Sequence, residues 1–142
     1  MELTNELVYI VDDEAKVGEA LSTLLRANDK RVLTFTSGQD FIDFHRQDSC
    51  ACLILDLKMP GLSGLEVQKV ISAKTSIPVI FLTGHGDIQS TVSAMKEGAV
   101  DFLTKPADEE ALLASVEQAL LQDRINRQEA IEHANLVLDM SL

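Results

Sequence analysis

Five short apolar runs, set apart by stretches of helical periodicity, constrain this chain more than any other feature. They are Leu7–Val11, Val32–Phe35, Cys52–Leu55, Pro78–Leu82 and Val100–Leu103. The first, third and fourth are apolar without alternation, as a strand reads when both its faces are covered in a parallel sheet. The second and fifth carry Thr34 and Asp101 and suit edge strands.

The segments between them repeat at helical spacing. Val17, Ala20, Leu21, Leu24 and Leu25 fall on one face of a first helix. Ser37 is a candidate N-cap for a second, and Ser63 with Glu66 three residues on has capping-box spacing for a third. A fourth follows Asp87, lines up Ile88, Val92 and Met95, and stops at Gly98, a residue suited to the C′ position. A fifth follows Asp108 and carries Leu112, Leu113, Val116, Ala119 and Leu120. Strands alternating with helices imply right-handed crossovers and a sheet covered on both faces. The expectation is therefore an α/β fold: a flavodoxin-like, doubly wound, five-stranded parallel sheet of order 2-1-3-4-5 with an extended C-terminal helix. Only the polarity of the second and fifth runs speaks for that strand order.

A chain of 142 residues with 46% hydrophobic composition supports one domain and one sizeable core. Residues 1–122 are expected to form it. From Asp123 onward charge is dense and helix breakers are absent, so 123–142 reads as a helical linker prolonging the fifth helix. Its sparse apolar positions, Ile125, Ala130, Ile131, Ala134 and Val137, would gain from a partner helix; the alternative is a frayed, solvated tail. The net charge of −11 repels nucleic-acid phosphates, so this segment is a poor DNA binder on its own. No apolar run approaches bilayer length, and Met1–Glu6 lacks the basic and apolar regions of a signal peptide. A cytoplasmic protein without membrane association is the default expectation. Cys50 and Cys52 are too few for a disulfide framework and poorly spaced for zinc; Cys52 reads as a buried thiol.

In a parallel sheet all strand carboxyl ends lie on one edge, and ligands bind in the crevice outside them. Asp12, Asp13 and Glu14 follow the first run, Asp56 closes the third, Thr83 follows the fourth and Lys105-Pro106 the fifth. Carboxylates crowded in one crevice repel each other unless a cation enters. Oxygen-only ligands suit a hard ion, and Mg²⁺ on carboxylates and water is the usual solution beside phosphate. A carboxylate can attack phosphorus to give an acyl phosphate. Lys105 can pair with the incoming phosphate and Thr83 can hydrogen-bond a phosphoryl oxygen.

Four segments now carry a family resemblance: Val11-Asp12-Asp13-Glu14, Leu55-Asp56-Leu57-Lys58-Met59-Pro60-Gly61, Phe81-Leu82-Thr83-Gly84 and Phe102-Leu103-Thr104-Lys105-Pro106. Over roughly residues 5 to 122 the chain resembles the receiver domain of two-component response regulators. The resemblance implies Asp56 as phosphoacceptor, Asp12 and Asp13 as Mg²⁺ ligands with Asp13 the direct one, and the Lys58 backbone carbonyl as a further ligand. It implies Thr83 and Lys105 as the switch hydroxyl and the phosphate-pairing lysine, Phe102 as the switch aromatic, and a cis Lys105-Pro106 bond. Lys58, Gly84-His85-Gly86-Asp87 and Thr36-Ser37-Gly38 are similar to the FixJ-like branch, which joins a receiver to a helix-turn-helix DNA-binding domain. That implies a histidine kinase as phosphoryl donor, a homodimer on phosphorylation, and DNA contact only through an output domain absent here. The protein would catalyse no reaction beyond its own phosphorylation and dephosphorylation.

Blander readings stand beside these. Asp12 and Asp13 could cap a helix, but capping explains one acid rather than a pair. Thr83 alone would read as a loop threonine and Phe102 alone as core. His85 reads as a loop residue affecting phosphoryl lifetime; His45 and His133 fall on helical patterns and read as solvated. The alternative function is a Mg²⁺-dependent aspartyl-phosphate hydrolase, which wants an acid two residues after the nucleophile, where Lys58 stands. A flavodoxin-like cofactor binder would need a Ser/Thr/Gly phosphate cradle where Asp12-Asp13-Glu14 stands.

Overall fold

The computed structural model describes residues 6–84 and 86–140. Strand and helix alternate as β1 (Leu7–Val11), α1 (Ala15–Ala27), β2 (Arg31–Phe35), α2 (Gly38–Asp43), β3 (Ala51–Leu55), α3 (Gly64–Ser72), β4 (Val79–Thr83), α4 (Ile88–Lys96), β5 (Asp101–Thr104) and α5 (Glu109–Met140). The strands form one parallel sheet in the order β2-β1-β3-β4-β5. Every residue of β1, β3 and β4 is buried, whereas β2 and β5 are partly open, as their polar residues anticipate.

Alternate residues of each strand feed two cores. Tyr9, Val11, Leu53, Leu55 and Phe81 pack beneath α2, α3 and α4 against Phe41, Val67, Ile71 and Ala94. Val8, Ile10, Ile54, Ile80 and Leu82 pack on the other face against Leu21 and Leu25 of α1 and Leu112, Val116 and Leu120 of α5.

The helix starts follow from their caps. Ser37 accepts the Asp40 N–H, Asp87 that of Ser90 and Asp108 that of Ala111; Ser63 and Glu66 close a capping box. Gly98, just past α4, has φ 97°, a left-handed conformation that favours glycine.

Three local features depart from the periodicity. Helix α2 ends at Asp43, and Phe44 leaves it in an extended conformation to meet Tyr9 and Phe35 edge-on. His45 therefore stands in a loop, not on a helix as its pattern suggests, though it is exposed as expected, like His133. The stripe Ile88, Val92 and Met95 points outward, and Ala94 is the buried residue of α4. His85 lies outside the described residues.

Cys52 is buried and Cys50 half-buried. Burial, and after it the Asp123 charge, pushes the Cys50 thiol up to about 11. The thiolate is the nucleophile that attacks alkylating reagents, so Cys50 alkylation near neutral pH is expected to be about two orders of magnitude slower than for a free cysteine. Iodoacetamide labelling followed by mass spectrometry should show the rate climbing with pH toward 11.

Candidate functional site

The sheet ladder continues one residue past several strands, and this places the site. Asp12 N–H donates to the Phe35 carbonyl at 3.1 Å, Asp56 N–H to that of Val11 at 3.0 Å, and Lys105 N–H to that of Thr83 at 2.9 Å. Each polar residue is thus held by the backbone as rigidly as the strand before it, with its side chain at the carboxyl-terminal edge.

There Asp12, Asp13 and Asp56 each offer a carboxylate oxygen within 4.8 Å of the others. Asp12 and Asp56 are buried and Asp13 is exposed, so the cluster opens to solvent on one side. Lys105 Nζ lies 2.7 Å from Asp12 Oδ2, 3.5 Å from Asp56 Oδ2 and 4.0 Å from Glu14 Oε1. Asp12 Oδ1 accepts the Glu14 N–H at 2.9 Å, which fixes its carboxylate plane. Thr83 is buried and close enough to Asp56 for its side chain to pull that carboxyl's pKa down.

Electrostatics follow from this packing. Burial, then the Asp12 charge, raises the Asp56 carboxyl above its ordinary value against the pull of Lys105, Thr83 and the Leu57 backbone. Partial burial works against the Lys105 ammonium, but the hydrogen bond to Asp12 and the charges of Asp56, Asp12 and Glu14 outweigh it and raise its pKa. One ammonium faces three clustered acids, so negative charge is in excess. The donors are all oxygen, the chemistry of a hard cation.

Phe102 is half-buried, its ring stacked on Phe81 at 5.7 Å and 26°. Its backbone N–H donates to Asp101 Oδ1, and Asp101 Oδ2 accepts from Ser115 on α5. Lys58 is exposed in the loop after β3, near enough to Asp87 to help lower its pKa, although the hydrogen bonds from Ser90 are the main cause. The Lys105-Pro106 bond is cis.

The structure brings Asp12, Asp13, Asp56, Thr83 and Lys105 into one pocket, with Phe102 in the strand beside Thr83. Two glycines of this region, Gly64 and Gly86, have packing roles that the sequence did not assign them. A Cβ on Gly64 would come within 2.2 Å of the Asp56 carbonyl oxygen. One on Gly86 would reach 2.8 Å from the Phe102 ring and 3.2 Å from the Thr83 methyl, so the loop after β4 rests directly on both. Only the spacing of glycine after Asp56 and Thr83 hinted at either.

An acidic pocket at the carboxyl edge of a 2-1-3-4-5 parallel sheet, faced by a lysine on a cis X-Pro bond, is the arrangement that the receiver resemblance implies. The chain belongs to the response regulator receiver domain family, whose model matches residues 8–117. Response regulator protein TmoT of Ectopseudomonas mendocina is 50% identical over 115 residues, covering 80% of this chain and 52% of that protein. Transcriptional regulatory protein FixJ of Bradyrhizobium diazoefficiens is 40% identical over 116 residues, 81% of this chain and 57% of that protein. The solved structure of response regulator StyR superposes with a TM-score of 0.89 at 42% identity, covering 96% of this chain and 69% of that one. This chain thus spans about half the length of the TmoT and FixJ relatives. Among the described residues no helix is long and apolar enough to cross a membrane.

Proposed function

We propose that this receiver takes a phosphoryl group from a histidine kinase onto Asp56 and so switches an output activity. The observation that carries this reading is the cluster of three carboxylates facing one ammonium, an arrangement that repels itself until a cation and a phosphoryl group complete it. Asp12, Asp13 and Asp56, with the Lys58 backbone carbonyl, are the residues that would hold Mg²⁺. Bound there, the ion neutralises charge developing on the transferred oxygens.

A carboxylate oxygen of Asp56 attacks phosphorus, the bond to the donor imidazole nitrogen breaks, and its electron pair leaves with the imidazole. Lys105 turns from Asp56 to the new phosphoryl oxygens. Thr83 donates to one of them, drawing in the β4–α4 loop, and Phe102 turns with that loop. Phosphorylation adds about −1.5 to −2 charges beside groups only a few ångströms away, enough to bias a two-state loop. An apolar groove of about 510 Å³ beside Lys105, lined in part by Val17, Ala20, Leu24, Pro106 and Leu112, supports kinase docking. The outward stripe of Ile88, Val92 and Met95 supports a homodimer in the phosphorylated state. Residues 1–122 act as the receiver body and 123–142 as a helical linker toward a DNA-binding output domain, in the cytoplasm.

Incubating the chain with Mg²⁺ and acetyl phosphate tests this reading: intact mass should rise by one phosphoryl group and fall back as the acyl phosphate hydrolyses. No gain, or a gain that survives chelation of Mg²⁺ beforehand, refutes it. Mg²⁺ alone should stabilise the fold by about 2.7 kcal/mol at a hundred times its dissociation constant. Asp13→Asn should remove most of that increment in a thermal melt, leaving stability in chelator close to wild type.

A further inference from the structure

The charged segment that opens the helical extension is not simply solvated. Asp123 continues the buried stripe Leu112, Val116 and Ala119 of α5 and is 5% exposed. Its Oδ2 accepts the backbone N–H of Ala51, the first residue of β3, at 2.8 Å. One turn further, Arg127 Nη2 meets Asp48 Oδ1 at 2.5 Å, and between them Arg124 pairs with Glu6. Three contacts, one from Glu6 and two from the stretch 48–51 that leads into β3, thus grip residues 123–127 at the amino-terminal edge of the sheet. Beyond Arg127 the same helical face carries Ala130, Ile131, Ala134, Val137 and Leu138, all exposed.

We propose that Asp123, seconded by the Asp48–Arg127 pair, is a positioning clamp that makes residues 128–140 a lever of fixed direction relative to β3. A leucine at 123 would fill the space but leave the Ala51 N–H without an acceptor. A charge-assisted hydrogen bond instead fixes the rotation of the helix about its axis. The ion pair one turn on fixes its tilt. A polar helix of this kind is marginal in water unless its root is held. Strand β3 runs from Ala51 to Leu55 and leads straight into Asp56. The lever's root and the reactive carboxylate therefore hang on opposite ends of one buried strand, roughly 17 Å long. The lever projects about 20 Å past Arg127, taking 1.5 Å per helical residue.

This goes beyond the phosphoacceptor reading and does not require Asp56 to take phosphate, so it is tested on the unphosphorylated 142-residue chain. Residual dipolar couplings of backbone N–H groups in weakly aligned protein report whether 128–138 and the sheet share one orientation. Wild type should fit a single alignment tensor. Arg127→Glu should shrink the couplings of 128–138 at least twofold with those of the sheet unchanged, and the exchange Asp48→Arg with Arg127→Asp should restore them. Asp123→Leu should do the same and speed exchange of the Ala51 amide about tenfold or more, whereas Asp123→Asn, which keeps an acceptor oxygen, should stay near wild type. If Asp123→Leu does not fold, the surface variant Arg127→Glu and its charge swap decide the matter. Wild-type couplings already collapsed beyond Arg127, or couplings indifferent to these variants, overturn the proposal.

Discussion

Asp56→Asn is expected to abolish phosphoryl uptake from acetyl phosphate while making the fold more stable in chelator. The first effect follows from removing the proposed nucleophile: an amide oxygen does not form an acyl phosphate. The second follows from the packing. Burial and the neighbouring Asp12 charge both disfavour an ionised Asp56, and Lys105 only partly compensates. An amide of the same shape carries no charge into that pocket and leaves Lys105 to its shorter contact with Asp12. The gain should be on the order of 1 kcal/mol, a few degrees in Tm for a domain of this size. Mg²⁺ should reverse the ranking, because the ion stabilises wild type through three acids and the variant through two. Thermal melts of both proteins in EDTA and in Mg²⁺, beside intact-mass measurements after acetyl phosphate, give all four readings. A variant that melts lower than wild type in EDTA would mean that Asp56 serves the fold, through Lys105, more than it burdens it.

Most of the architecture was legible because each strand end and helix start carries its own chemistry. Continuous apolar runs marked β1, β3 and β4, and Thr34 and Asp101 marked the edges. Ser37, Ser63, Asp87 and Asp108 cap the helices that follow them. The pocket was legible for the same reason: once the strands are parallel, residues that follow them must meet at one edge. Which way an amphipathic helix points was harder to see. On α4 the periodic residues face out and small Ala94 faces in, because the helix sits close enough for the buried Gln68 side chain on α3 to donate to the Ala94 carbonyl. Periodicity reports a face, not the side of the molecule on which it lies.

Asp123 was hidden for a related reason. In sequence it reads as the first of several charges, yet it lies in phase with Leu112, Val116 and Ala119, and a polar residue at a core-phased position has a buried partner to find. That partner, a backbone N–H seventy-two residues away in sequence, carries no mark in the sequence at all. Gly64 and Gly86 were opaque too, since a close backbone approach is a property of two segments and only one of them holds the glycine.

Gly64→Ala is expected to be among the most damaging single changes in this chain. Gly64 opens α3, and its N–H donates to the Leu57 carbonyl at 2.7 Å, which pulls the helix start onto the end of β3. An added Cβ would lie 2.2 Å from the Asp56 carbonyl oxygen, 2.8 Å from Leu57 Cα and 3.0 Å from the Phe81 ring. The first two are backbone atoms and cannot rotate away, so either α3 lifts off the sheet or the Asp56 backbone moves. Overpacking against a rigid neighbour costs about 3 kcal/mol or more, a large share of the stability of an ordinary domain. Gly61 provides the contrast. It has φ 74° but nothing within 4 Å of its added Cβ, so Gly61→Ala incurs only the left-handed backbone penalty of about 1 kcal/mol. Urea unfolding of the two variants should separate them by about 2 kcal/mol. The folded fraction of Gly64→Ala should also take up phosphoryl groups more slowly than wild type, because the displaced backbone is that of Asp56, whereas Gly61→Ala should keep closer to the wild-type rate. Equal stabilities would mean that the α3 start yields to the methyl group at little cost and that the tight seam between α3 and β3 does not fix the reactive carboxylate.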